Sequence, residues 1–244
     1  MHFRKINFGI TLSFFVLALN LLAADTMVET DKRLPAGPKG APPWGFHAAA
    51  ARDTNLPSIL LIGDSIMSAY RSTVAKELAG KANVDVWLNP YHQATPGLND
   101  QLRAILATNG PYAVIHFNMG MHGWQKGRIP DGQFEPLTRQ MVQTIVQNAR
   151  GAKLIWASTT PVRSQEHPDQ LDPEINGNIL QQNAGAAKVM AENKIPINDL
   201  YSLMTNHLDL AATGQVHWNS EGAHLQGLAV AKAIEPYLKT AVKR

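Results

Sequence analysis

The 244-residue chain contains no cysteine. This absence excludes disulfide bonds, thiolate metal sites and a cysteine nucleophile, and it is compatible with any redox compartment. Charge is also sparse, because only 17% of the residues are charged and 22 basic against 19 acidic residues give a net charge of +3. The basic residues form no cluster that would follow a phosphate backbone, so nucleic acid is not expected as a partner. Any chemistry must use oxygen or nitrogen groups.

Patterns that bind phosphates or metals are missing as well. The sequence has no Gly-x-x-x-x-Gly-Lys loop, and no Gly-x-Gly-x-x-Gly turn follows an apolar run. No two of the nine histidines have the His-x-x-x-His spacing of a zinc helix. We therefore expect neither a metal nor a cofactor.

Residues 1–24 have the composition of a secretory signal. Arg4 and Lys5 precede an uncharged run over residues 6–24, which is rich in Leu, Phe, Val and Ile and ends in Ala23 and Ala24. The run is long for a signal peptide, so an uncleaved membrane anchor is the alternative that these residues leave open. No other stretch approaches the roughly 20 apolar residues of a spanning helix. The protein is therefore expected to be secreted or periplasmic, with no membrane contact beyond a possible N-terminal anchor.

The rest of the chain divides at residue 56. Residues 25–55 are rich in Pro and Gly, a composition that favours an extended leader lying against a domain. From residue 56 to residue 244, short apolar runs alternate with longer amphipathic segments, which is typical of βα units around a parallel sheet. The sequence therefore predicts one α/β domain with a five-stranded parallel sheet. The predicted strands cover residues 58–62, 84–88, 113–117, 153–157 and 195–197.

Helical segments are predicted between these strands and after the last one. They cover residues 67–78, 99–107, 136–149 and 174–193, and a last helix runs from Ser220 towards Lys243. In the last helix an apolar face is predicted to cover the sheet, because its members recur at spacings of three and four: Leu228, Ala231, Ile234, Leu238 and Ala241.

A candidate nucleophile lies at the first predicted strand-to-helix turn. An apolar strand runs directly into Gly63-Asp64-Ser65, and a helical pattern follows within a few residues. A serine in this position has its Oγ at the carboxyl edge of the sheet and its N–H near a helix N-terminus, where free donors meet a developing negative charge. The alternative is that Asp64 and Ser65 only cap the helix. The placement after the first buried strand favours a nucleophile.

A candidate base comes from the opposite end of the chain. His217 lies just before the last helix, which Asn219 or Ser220 is predicted to cap. Imidazole is the usual group that takes a proton from a serine hydroxyl at neutral pH and returns it to a leaving alcohol. Asp199, after the fifth strand, is interpreted as the cap of the following segment.

These motifs resemble the GDSL or SGNH hydrolase superfamily, over most of the chain from about residue 56. The strand end Ile115-His116-Phe117-Asn118 and Thr159-Thr160-Pro161 are similar to a less characterised bacterial subgroup. The resemblance implies a flavodoxin-like three-layer α/β/α fold and the activity of a serine esterase or acylhydrolase, a class that includes lipase-like enzymes. It implies Ser65 as nucleophile and His217 as base.

The sequence departs from the family pattern before the base. The family has Asp-x-x-His, and the aspartate position is Gly214. A backbone carbonyl within residues 213–215 or the carboxylate of Asp209 is then left to orient His217. Arg163, in the loop after the fourth predicted strand, either binds an anionic substrate or fixes its own loop.

The resemblance also implies an oxyanion hole with donors from three loops. Ser65 N–H is the first, and Gly97 is the only glycine in the loop between the second predicted strand and the next predicted helix. After the third predicted strand the family has Gly-x-Asn-Asp, and this chain has Gly120-Met121-His122-Gly123, so His122 occupies the asparagine position. Asn118 is the nearest amide. Either side chain can donate a hydrogen bond, and the residues leave both open.

The sequence-based hypothesis is an exported serine esterase that cleaves a small-molecule or carbohydrate ester through an acyl-serine intermediate. An export signal together with aromatic residues near the site, Trp124 and Trp218, favours a small acyl group on a carbohydrate. The alternative hypothesis is a non-catalytic protein that binds a glycan in the same cleft, since Gly214 and the altered third block depart from the family pattern.

Overall fold

A computed structural model describes residues 43–212 and 214–238. A six-stranded sheet forms its centre, in the order β1-β3-β2-β4-β5-β6. Five strands are parallel, and β1 at one edge is antiparallel to β3. The strands are β1 Gly45–His47, β2 Ser58–Gly63, β3 Asn83–Leu88, β4 Val114–Phe117, β5 Lys153–Ala157 and β6 Ile197–Asn198.

Helices cover both faces of the sheet and complete an α/β/α sandwich. They are α1 Ser65–Glu77, α2 Leu98–Asn109, α3 Phe134–Asn148, α4 Pro173–Glu192, α5 Leu200–Thr205 and α6 Ser220–Leu238, with a short 3-10 helix at Leu208–Leu210 before α6. Ile59 and Leu61 of β2 pack with α1 and α6, whereas Leu60 and Ile62 pack with α2 and α3. This alternation follows from the period of two along a strand. No helix within the described residues is long and apolar enough to cross a membrane.

The predicted α/β architecture and its five parallel strands are confirmed, with small differences in bounds. The largest difference concerns the last strand, which was predicted over residues 195–197 and lies at Ile197–Asn198. The N–H of Ile195 instead donates to the carbonyl of Met190, in the turn that ends α4. Ile195 is therefore apolar and buried without belonging to a strand.

The predicted apolar face of α6 is wrong at one position. Ala231, Ile234 and Leu238 are buried, but Leu228 is 37% exposed. The buried stripe passes through the neighbouring Gly227, where a side chain would collide with Thr73 of α1. The buried face therefore passes through Gly227 instead of Leu228, because α6 packs closely on α1 as well as on the sheet. Ala241, the remaining predicted member of the face, lies outside the described residues.

The additional strand, β1, lies in the segment that was predicted to be an extended leader. Gly45–His47 pairs with residues 86–88 of β3, so the sheet begins before residue 56. Three residues are too short to show the alternation that indicates a strand. The predicted signal at residues 1–24 and most of the leader lie outside the described residues, and the predicted export remains a prediction.

A buried carboxylate attaches this segment to the sheet. Asp85 of β3 is fully buried, and its two oxygens accept hydrogen bonds from Nη2 of Arg52 at 2.6 and 2.7 Å. Asp85 also accepts the N–H of Ala49 at 2.9 Å. Nearby, the side chain of Asn83 accepts the N–H of Asp53 and donates to its carbonyl, both at 2.8 Å. Residues 49–53 are therefore held to β3 by hydrogen bonds to buried side chains.

We expect Arg52→Ala to lower the free energy of unfolding by about 2 kcal/mol, because it leaves the buried Asp85 carboxylate without its cation. Lys81→Ala is the matched control, since the Lys81–Glu235 pair is exposed on both sides and its loss should change stability by less than about 0.5 kcal/mol. Urea unfolding of both variants measures the difference. Equal effects in the two variants would contradict the anchoring role of Asp85.

A buried histidine lies in β4, one of the two central strands of the sheet. His116 of β4 is 1% exposed, and its Nε2 lies 3.2 Å from the side-chain nitrogen of Asn198. Burial disfavours the charged imidazolium and lowers the pKa of His116 from 6.5 to about 3. The folded protein therefore keeps His116 neutral at mildly acidic pH, where the unfolded chain binds a proton.

We expect the stability of the protein to fall as the pH falls from about 6 to about 4, by about 1.4 kcal/mol per unit from His116 alone. The sign follows because, between about pH 3 and pH 6.5, His116 is protonated in the unfolded chain and neutral in the folded protein. His116→Gln removes this contribution, so the difference in unfolding free energy between the two proteins should change with pH. A difference that is constant across this range would show that His116 titrates normally in the folded state.

Candidate active site

Ser65 lies at the turn between β2 and α1, as expected. Gly63 ends β2, Asp64 is the N-cap of α1, and Ser65 is the first residue of the helix. The Asp64 carboxylate accepts the N–H of Ile66 at 2.9 Å. A Cβ on Gly63 would lie 2.6 Å from Cβ of Met67, so the tight turn requires glycine there. The first N–H groups of a helix have no intrahelical partner, and that of Ser65 belongs to this set.

His217 reaches Ser65 from the far end of the chain. Nε2 of His217 lies 3.1 Å from Oγ of Ser65, although 152 residues separate the two. The helices that follow these residues, α1 and α6, pack side by side and run in the same direction, with Thr73 beside His224 and Lys81 beside Glu235. Their N-termini therefore lie at the same end of the molecule. Asn219 caps α6, since its Oδ1 accepts the N–H of Gly222 at 2.9 Å.

Among the described residues, none of the predicted partners of His217 forms a hydrogen bond with its imidazole. Asp209 is exposed on the 3-10 helix, and none of the hydrogen bonds in the described residues joins it to His217. The carbonyls of Gly214 and Gln215 accept hydrogen bonds from Arg163 instead. Thr213 lies outside the described residues. Asp199 caps α5, as predicted, through the N–H of Ser202.

Asp64, which was predicted only as a helix cap, interacts electrostatically with His217. Asp64 is buried, and burial raises its pKa, while its interactions with the imidazoles of His122 and, less strongly, His217 oppose this rise. The position of Asp64 next to Ser65 is the feature of the sequence that could have predicted this interaction. The carboxyl group of Asp64, at the N-terminus of α1, therefore lies within electrostatic range of two imidazoles.

The side chain of Asn118 is already engaged within the protein. Its amide nitrogen donates to the carbonyl of Ala157 at 2.6 Å and lies 3.3 Å from Oγ1 of Thr159, and its oxygen accepts the N–H of Gly120 at 3.0 Å. Both amide hydrogens thus have internal acceptors. Asn118 therefore ties β4 to the loop after β5.

His122 lies near Asp64 and His217. It lies in the loop after β4, close enough to Asp64 and His217 for their charges to affect it. Burial lowers the pKa of His122, and the Asp64 carboxylate opposes this shift, so the neutral imidazole with one N–H is favoured. The ring of Trp44 contacts it edge-on, with centroids 6.2 Å apart. Arg128 donates to the His122 carbonyl at 2.9 Å.

Gly97 lies on an exposed turn before α2. Gly97 is the N-cap of α2 with φ +80°, and its Cα faces open space. Two residues nearer to β3 approach the His122 loop instead. Burial and, less strongly, Arg128 and His122 lower the pKa of His92. Oε1 of Gln93 lies beside Gly123. No contact in the described residues connects Gly97 with Ser65.

The described residues contain no group of three His, Asp or Glu side chains that could hold a metal ion. Of the two candidate stacking residues, Trp218 is buried and Trp124 is half-buried against the core.

No protein-family model and no curated protein matches the chain. Solved structures do match. A lipase/acylhydrolase from Enterococcus faecalis has 20% identity and a TM-score of 0.58, over 74% of this chain and 96% of its own. A member of the lipolytic protein G-D-S-L family from Veillonella parvula has 18% identity and a TM-score of 0.57, over 73% and 98%. Est24, a carbohydrate acetylesterase from Sinorhizobium meliloti, has 13% identity and a TM-score of 0.58, over 74% and 99%.

At these identities the likeness concerns the fold. The three-layer fold that the Gly63-Asp64-Ser65 turn led us to expect is confirmed, and the chain has the α/β/α fold of the SGNH hydrolases.

Proposed function

We propose that this protein is an exported serine esterase that removes a small acyl group from an alcohol. The observation that carries the proposal is the 3.1 Å approach of Nε2 of His217 to Oγ of Ser65. A serine hydroxyl becomes a nucleophile when an adjacent base accepts its proton, and this distance lies within hydrogen-bond reach. Ser65 also lies at a helix N-terminus, where backbone donors favour a developing anion.

The reaction begins when Oγ of Ser65 attacks the ester carbonyl carbon and its proton passes to Nε2 of His217. The carbonyl oxygen becomes an oxyanion and accepts hydrogen bonds from the Ser65 N–H and from the His122 imidazole. His217 then gives its proton to the leaving alcohol, and an acyl-Ser65 ester remains. Water attacks this ester with His217 as base, which releases the acid and restores the hydroxyl. Asp64 interacts electrostatically with His217, and its carboxylate form would stabilise the transient His217 imidazolium through space.

A small acyl group on a carbohydrate is the proposed substrate class. It is supported by a neighbour in fold, the acetylesterase Est24. Export is supported by the composition of residues 1–24.

A fluorophosphonate probe, which labels activated serines, should modify the wild-type protein and fail to modify Ser65→Ala and His217→Ala. Ser72→Ala is the matched control, because Ser72 is an exposed serine of the same helix and its loss should leave labelling unchanged. With nitrophenyl esters of increasing acyl length, kcat/KM should be highest for acetate. A wild-type protein that is not labelled but binds an acetylated glycan would instead support the non-catalytic hypothesis, which is favoured by the glycine at position 214.

Variants of the two candidate oxyanion donors, His122 and Asn118, are expected to differ in their effects on kcat and on stability. His122→Ala should lower kcat by about 100-fold with little change in KM, because it removes a donor that acts in the transition state. His122→Asn keeps an amide donor and should retain more of the activity. Asn118→Ala should mainly lower the melting temperature, because it removes the hydrogen bonds to Ala157 and Gly120. A loss of kcat in Asn118→Ala that exceeds the loss in His122→Ala would assign the donor to Asn118.

A further inference from the structure

A buried arginine lies under the loop that carries the base. Arg163 belongs to the segment after β5 and is 3% exposed. Its Nη2 donates to the carbonyls of Ala212 at 2.8 Å and His217 at 3.3 Å, and it also contacts the carbonyl of Gly214. All three acceptors belong to the segment from the 3-10 helix to α6, residues 211–219, which we call the His217 loop. One guanidinium group therefore connects the two sides of this loop.

The main chain of Arg163 binds the same loop. Its N–H donates to the carbonyl of Gln215 at 3.0 Å, and its carbonyl accepts Nε2 of Gln215 at 3.1 Å. The guanidinium carbon lies 6.0 Å from the centre of the Trp218 ring, the residue after the base. The loop is closed at its base by an antiparallel bridge between Ala211 and Trp218. His217 is thus held in a closed loop that Arg163 contacts through both its backbone and its side chain.

Arg163 is itself fixed to the body of the domain. The buried side chain of Asn176, in the first turn of α4, accepts the N–H of Val162 at 3.1 Å and donates to its carbonyl. The N–H of Asp172, the N-cap of α4, donates to the same carbonyl at 3.0 Å. The contacts therefore run from the N-terminus of α4 through Val162 and Arg163 to the His217 loop.

The backbone conformation of Gly214 disfavours an aspartate at the position where the family has one. Gly214 has φ +86°, in the left-handed region where an aspartate would be strained. The loop directs backbone carbonyls inward at this point, and carbonyls accept hydrogen bonds from an arginine. Such charge-assisted bonds are stronger than neutral ones.

We propose that Arg163 is a positioning residue that orients His217 towards Ser65 by binding the carbonyls of the His217 loop. In an Asp-x-x-His pattern this orientation comes from a carboxylate on the imidazole itself. Here the orientation comes from the backbone that carries the imidazole. This positioning role rests on the proposed function of His217 as the base. The alternative from the sequence, that Arg163 binds an anionic substrate, does not agree with its burial and with an Nη2 that already has carbonyl acceptors.

The first test is the kinetics of Arg163→Ala and Arg163→Lys with nitrophenyl acetate. Arg163→Ala should lower kcat by about 100-fold with little change in KM, since a displaced base slows proton transfer without altering substrate binding. Lysine should restore part of the loss, and added guanidinium ion at a concentration that leaves the protein folded should partly rescue the alanine variant. Arg139→Ala is the matched control, because Arg139 pairs with Glu135 and Glu192 on the outer helices and its loss should leave kcat unchanged.

The second test does not depend on esterase activity. In protein labelled with 15N-histidine, the ring signals of His217, assigned through His217→Gln, should be sharp in the wild type and should shift or broaden in Arg163→Ala. If the wild type shows no activity and no probe labelling but this spectral change occurs, the proposed function fails and the positioning role stands. Unchanged His217 signals would overturn the proposal.

Three other outcomes would also overturn the positioning role. The first is a kcat within about threefold of the wild type in folded Arg163→Ala. The second is an increase in KM alone, which would assign Arg163 to substrate binding. The third is a loss of activity that only follows loss of folded protein in both variants, with no rescue by lysine or guanidinium. If Arg163→Ala does not fold, Gln215→Ala removes one bond to Arg163 and should give a smaller decrease in kcat with unchanged KM.

Discussion

The hydrogen bond between Ser65 and His217 depends on the parallel arrangement of α1 and α6. Each helix begins at the carboxyl edge of the sheet, so the residues that precede the two N-termini meet at one place. The close packing of α6 on α1, which excludes a side chain at position 227, keeps the two helix starts together. The site is therefore a consequence of how two helices from opposite ends of the chain pack on one face of the sheet, and the rest of the chemistry is arranged around that meeting point.

Orientation and charge compensation are assigned to different groups in the proposed mechanism. In a serine triad one carboxylate both orients the histidine and stabilises its positive charge. Here Arg163 binds the backbone on both sides of the base, and Asp64, next to the end of β2, is the acidic group that interacts electrostatically with the base. A buried arginine and a buried aspartate in these positions are compatible because each has its own hydrogen-bond partners, the loop carbonyls for the arginine and the N–H of Ile66 for the aspartate.

Residues before the predicted domain also reach the site. Trp44 is buried and contacts the ring of His122, while Arg52 and Asp53 bind buried side chains of β3. The loop that carries His122 therefore packs against a segment whose composition indicated only an extended leader. The position of the proposed oxyanion donor depends on that contact as well as on the end of β4.

Local patterns in the sequence determined the five parallel strands, the helices between them, the serine at the first turn and the caps at Asp64, Asp199 and Asn219. These features follow from short-range backbone hydrogen bonds and from the burial of alternate residues, which nearby residues are enough to specify. Only the tertiary structure decided five other features: the face of α6 that is buried, the edge strand β1, the internal partners of Asn118, the position of Asp64 near two imidazoles and the contacts of Arg163. Each of these depends on a neighbour from a distant part of the chain, and packing brings such neighbours together in a way that no local periodicity encodes.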